Sequence, residues 1–124
     1  MASFQTKDGE TVSIDLSAVI RVRAAISSEK PAKTRVDWGI VSLLMNDLQF
    51  VVDEVRKEKP SVIGISVGRD KKTYFDAKGI KAVFPALPHM EEFGYRSSFK
   101  ILGYRQHTKH SVEELKSMLA AHKT

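Results

Sequence analysis

Between Phe93 and His110 the chain carries Arg96, Lys100, Arg105 and Lys109 together with His107 and His110, and no acid falls between Glu92 and Glu113. Four aromatic residues, Phe93, Tyr95, Phe99 and Tyr104, are threaded among these cations. Cations neutralise phosphates and aromatic rings stack on bases, so the run suits a polyanion better than an apolar ligand. Read as one strand from Ser98 to Arg105, period two puts Phe99, Ile101 and Gly103 on a core face. Arg96, Ser98, Lys100, Leu102 and Tyr104 then share the other. The candidate contact residues are Arg96, Lys100, Tyr104, Arg105 and Lys109, with Lys78 and Lys81 as auxiliary charges. A solvated face, or an edge charged to deter aggregation, shows the same alternation.

Two other patterns could carry chemistry. His107 and His110 form His-x-x-His, with His122 further on. Zinc takes three or four ligands, and imidazoles three apart can share a metal from one helical turn. This pair, however, precedes Ser111, ahead of the helix that would orient both rings, so it reads as a pair in a basic loop. Gly64-Ile-Ser-Val-Gly68 sets a serine between glycines after an apolar run, but a nucleophile elbow needs a helix directly behind it and none is expected. Asp70, Asp76, Glu91 and Glu92 are scattered, and no Gly-rich phosphate loop is present. The expectation is a non-catalytic protein with no cofactor and no metal.

The composition agrees. The chain has 124 residues, a size for one domain (1–124) that can bury its own core, since 42% of its residues are hydrophobic. It has no cysteine, which excludes disulfides and thiolate chemistry and fits a cytoplasmic setting. The first residues turn polar at once and no apolar run approaches the length of a membrane span, so neither a signal peptide nor a transmembrane helix is expected. The net charge of +5 is lopsided: residues 1–60 hold nine Lys/Arg against nine Asp/Glu, and residues 61–124 eleven against six. The whole excess sits beside the basic run, where it builds a field for an anionic partner.

The elements that must position these residues read as an α+β fold, an antiparallel or mixed sheet with two main helices on one face. Asp8-Gly9 turns a hairpin over 3–15. A strand over 18–25 follows, with Ile20, Val22 and Ala24 inward and Val19 outward, and then a polar loop from Ser27 to Lys33. Val41, Leu44, Leu48, Val51 and Val55 recur at helical spacing, which predicts a helix over 47–58 and, in a longer reading, from about 39. Trp38 and that 41–55 stripe also offer a surface for a protein partner or a homodimer, the competing functional expectation. Ser61 to Val67 reads as a buried strand, 68–72 as a turn, 73–76 and 80–84 as short strands, and 85–94 as a loop. Ser111-Val-Glu-Glu114 is a capping box opening a helix to about His122.

The two halves, 1–60 and 61–124, echo one another. Ile14-Asp15, Val19 and Val22 match Phe75-Asp76, Ile80 and Val83 at constant spacing, and each half ends in a helix starting at Asp47 or Ser111, the pattern of an internal repeat. The stretch from Phe4 to Val22 resembles the hairpin-plus-strand of small β modules in some bacterial regulators. It implies no activity.

Overall fold

The computed structural model describes residues 2–68 and 71–122. Among these residues the strands are β1 (Ala2–Gln5), β2 (Thr11–Ile14), β3 (Arg21–Ala24), β4 (Thr34–Asp37), β5 (Val41–Leu44), β6 (Val62–Gly68), β7 (Lys71–Asp76), β8 (Val83–Pro85), β9 (Ser97–Ile101) and β10 (Tyr104–Thr108). The helices are α1 (Leu48–Glu58), the single turn α2 (Pro88–Glu91) and α3 (Val112–Ala120). The fold is α+β, and every strand pairing is antiparallel.

The sheets run β1-β2, β5-β4-β3-β7-β6 and β10-β9-β8. Backbone bonds lace them together. Met45 N–H donates to the Gln5 carbonyl at 2.7 Å, beside a Thr6–Leu44 bridge, and Lys109 N–H donates to the Ser66 carbonyl at 3.0 Å. The first half therefore has the order β2-β1-β5-β4-β3 and the second β7-β6-β10-β9-β8.

Register recurs with the order. Ala2 opposes Ile14 as Ile63 opposes Phe75, Val22 opposes Val36 as Val83 opposes Phe99, and Asp37 opposes Val41 as Lys100 opposes Arg105. The local devices recur too. Asp15 caps a 3-10 turn by accepting the Ser17 N–H, and Asp76 does the same for Lys78. Asn46 Oδ1 accepts from Gln5 N–H, and His110 Nε2 accepts from Ser66 N–H. The two longer helices, α1 and α3, each follow a polar N-cap, Asp47 or Ser111. Ser111 makes the full capping box with Glu114, and Asp47 makes no side-chain cap bond.

Two cores result. Phe4, Ile14, Val19, Val22, Val36 and Leu44 bury against Val51, Val52 and Val55 of α1. Ile63, Ile65, Phe75, Ile80, Phe99 and Ile101 bury against Leu115 and Leu119 of α3. Each such side chain contributes about 1.5–3 kcal/mol on leaving water. The halves meet where β3 pairs β7, Arg21 with Phe75 and Val22 with Tyr74. Successive residues of a strand point to opposite faces, so Val22 and Phe75 bury on opposite sides of the shared sheet.

Several sequence expectations are corrected. The helices lie on opposite faces of that sheet and not on one. The apolar stripe over 41–55 is not one helix: residues 41–44 form β5, because Gly39 at φ +98° turns the chain back from β4 and Trp38 N–H bonds the Ile40 carbonyl. Val51, Val52 and Val55 of its helical portion are core, while Val41 and Phe50 stay exposed. Ser98–Arg105 is a hairpin and not one strand, since Leu102 (φ 52°) and Gly103 (φ 78°) fold β10 back onto β9. Val19 is buried, because the 3-10 turn over Leu16–Ala18 rotates it inward and delays β3 until Arg21. A turn over Ala77–Gly79 likewise shortens the strand expected from Ile80 to Val83–Pro85. The turn expected at 68–72 includes Arg69 and Asp70, which lie outside the described residues.

Candidate nucleic-acid interface

The β9–β10 hairpin sorts the basic run by face. Cross-strand partners share a face, so Ile101, Phe99 and Ser97 lie with Tyr104, Gln106 and Thr108 toward the second core. Lys100 and Ser98 lie with Arg105 and His107 on the outer face, where Lys100 is exposed and Arg105 half-buried while Ser98 and His107 are covered. Phe84 opposes Ser98 and joins them. Arg105 stacks its guanidinium 5.1 Å from the Phe84 ring centroid and donates to Ser98 Oγ at 3.0 Å. Lys100, directly opposite Arg105, is exposed. Among the described residues no carboxylate lies within ion-pair distance of either cation.

The expected contact residues divide. Lys100 and Arg105 come together. Arg96 and Lys109 flank the other end of the hairpin, where Arg96 pairs with Glu114 at 3.4 Å. The Lys109 ammonium sits 4.1 Å from the Tyr95 ring centroid and bonds the Phe93 carbonyl. Tyr104 is a correction: the turn at Leu102-Gly103 puts it on the core side, where its hydroxyl accepts from Arg21 at 2.7 Å and donates to Gln106 at 3.1 Å. It links the halves and is not placed to stack on a ligand at the outer face. Lys78 and Lys81 stand apart from that face, Lys78 on the Ala77–Gly79 turn and Lys81 in a cleft beside α3. Phe84 is the residue the sequence reading missed. Its signal was present, since with Val83 inward the next residue must point outward.

The histidines are built into the backbone. His107 is buried, its Nε2 accepts from Leu87 N–H at 3.3 Å, and burial, aided by the charges of Arg105 and His89, lowers its pKa. His110 accepts from Ser66, as described. Ser66 itself lies within β6, far from the strand-to-helix turn of a nucleophile elbow. No group of three His, Asp or Glu residues among those described is arranged to hold a metal ion.

The equivalent outer face of the first half is chemically different. Lys100 corresponds to Asp37, Ser98 to Arg35 and Phe84 to Arg23, by the shared register. There Arg21 bonds Asp37 at 2.7 Å, Arg23 grips Glu29 through both nitrogens at 2.9 and 3.0 Å, and Arg35 reaches Glu29 and Asp37 at 3.3 and 3.0 Å. The Arg23 bonds lead in holding the Glu29 carboxyl down to about 2. The same scaffold thus carries a self-neutralised face in one half and, in the other, the Lys100–Arg105 pair with no carboxylate partner among the described residues.

No helix among the described residues is long and apolar enough to cross a membrane. No family model, curated protein or solved structure matches the chain.

Proposed function

We propose that this protein is a non-catalytic binder of polyanions, nucleic acid in particular, and that the outer face of β8–β9–β10 makes the contact. The observation that carries the reading is the Lys100–Arg105 pair. Like charges directly opposite on neighbouring strands destabilise a sheet, and here no acid offsets them. A phosphate backbone supplies the missing charge, and displacing its counterions supplies the driving force. Phe84 beside Arg105 adds an aromatic surface for an unstacked base, so the face suits a single strand better than a duplex. Arg96 and Lys109 add cations at the far end of the hairpin, beyond the buried Ser98 and His107, with Arg96 paired to Glu114. The cysteine-free composition fits action in the cytoplasm.

Fluorescence anisotropy with labelled single- and double-stranded DNA and RNA tests the reading. Binding strongest at about 50 mM salt, tighter for single strands and falling steeply with added salt, is the expected result. No binding at that salt refutes it.

A further inference from the structure

The head-to-tail relation of the two halves leaves one edge of each kind without a strand partner. In the strand run β2-β1-β5-β4-β3-β7-β6-β10-β9-β8, the seam joins the last strand of one half, β3, to the first of the next, β7. The same two positions recur at the ends of the run: β8 corresponds to β3, and β2 corresponds to β7. Neither has a strand on its outer side among the described residues, and they do not pair with each other. A contact that joins unlike surfaces and does not close on itself propagates from molecule to molecule.

We propose that β2 of one copy adds to β8 of a second copy in the register of the internal seam, so that copies assemble head to tail. The pairing follows from Arg21–Phe75 and Val22–Tyr74: Ala82 would oppose Ile14, and Val83 would oppose Ser13. Hydrogen-bonding groups are aimed correctly. Asp76 N–H crosses the seam to the Ile20 carbonyl at 2.9 Å, so alternate residues of β7 direct their amides toward β3. The corresponding amides of β2 are those of Ser13 and Asp15, which therefore face outward.

Space and charge favour this occupant. A cleft of about 380 Å³ lies between β8 and α3, lined by Lys81, Ala82, Val83, Lys116, Leu119 and Ala120. In the first half the equivalent position is taken by Tyr74 of β7, packed against the core; its counterpart in β2 is the smaller Ser13, so an added strand covers the cleft without filling it. The cleft is basic through Lys81 and Lys116, and in this register the exposed Asp15 just after β2 falls opposite Lys81. Pro85 at the end of β8 lies beyond the two paired positions and leaves them free to bond.

The chain's lack of cysteine makes cross-linking a clean test. Cα atoms of a hydrogen-bonded antiparallel pair lie about 5.5 Å apart, within disulfide reach. Under mild oxidation the double variant Ser13→Cys/Val83→Cys is expected to form a ladder of dimers, trimers and higher species. Each single variant should stop at a dimer, and Ser13→Cys/Glu113→Cys should give no ladder above background. A missing ladder, a ladder equal in the control pair, or a disulfide closed within one chain overturns the proposal. Sedimentation of the wild-type chain is expected to show a mass rising above 13.9 kDa with concentration. Ser13→Pro, which removes an outward amide, should abolish that rise. A wild-type mass constant into the millimolar range overturns the proposal, and if Ser13→Pro fails to fold the cysteine pairs decide.

Discussion

Copying the first half's chemistry onto the second should separate binding from stability. Lys100→Glu puts a carboxylate where the first half has Asp37, directly across from Arg105. One cation is lost and a second is neutralised, so about two phosphate contacts disappear. At about 0.7 counterions per contact on a single strand, the slope of log K against log salt falls by about 1.4. Taking the electrostatic part as vanishing near 1 M, affinity drops roughly sixtyfold at about 50 mM salt and roughly tenfold at about 200 mM. Stability moves the other way. A repulsive cross-strand pair becomes attractive, worth about 0.2–1 kcal/mol. Anisotropy titrations at four salt concentrations, with urea melts on the same samples, read both quantities. An unchanged salt slope in Lys100→Glu, with the variant folded and the wild type binding, would falsify the assignment of this face. Lost binding with lost stability would instead mean that the residue matters only for folding.

Three further outcomes follow from other parts of the molecule. Glu29→Gln breaks a buried carboxylate's pairs with Arg23 and Arg35 and should cost about 3 kcal/mol in urea melts. Because the Glu29 pKa is lowered from 4.5 to about 2, its contribution is complete above about pH 4.5 and disappears as pH falls toward about 2, so the wild-type and Glu29→Gln stabilities should converge at acid pH. His107 has the opposite charge logic but the same sign. Its neutral form is favoured in the fold, so stability should decline as pH drops below its ordinary value of 6.5, and His107→Gln should flatten that part of the stability profile. Ser111→Ala removes the N-cap acceptor for Glu114 N–H and should cost about 1 kcal/mol, measurable as a lowered urea midpoint with an unchanged m value.

The sequence was most legible where local rules act alone. The Asp8-Gly9 hairpin, the Ser111 capping box and the apolar stripe of α3 each depend on a few neighbouring residues, and each is present. Of the matching apolar positions of the two halves, Ile14 with Phe75 and Val19 with Ile80 are fully buried, whereas Val22 is buried and its match Val83 only partly so. Turns with positive φ misled the reading. Gly39 and Leu102-Gly103 reverse the chain inside stretches whose apolar spacing suggested one continuous element. At Leu102-Gly103 the reversal moved Tyr104 from the cation face to the core side, and the candidate site changed with it. The neutralisation of Arg21, Arg23 and Arg35 was hidden for another reason. Their carboxylate partners reach them across strands and from the 3-10 turn over Ser27–Glu29, and equal counts of acids and bases do not reveal such pairing.

The seam between β3 and β7 bears on the speed of folding. Most strand pairings within a half close across short turns at little entropic cost, whereas β1 with β5 and β6 with β10 each join the two ends of a half. The seam alone ties Arg21 and Val22 to strand residues from the far side of α1 and β6, through only two residue pairs. Long-range contacts raise the contact order and slow the search for the native state. Docking one half on the other therefore adds a further slow closure to those that complete each half, and substitutions at Val22 or Tyr74 bear on the rate of that docking as well as on the stability of its product.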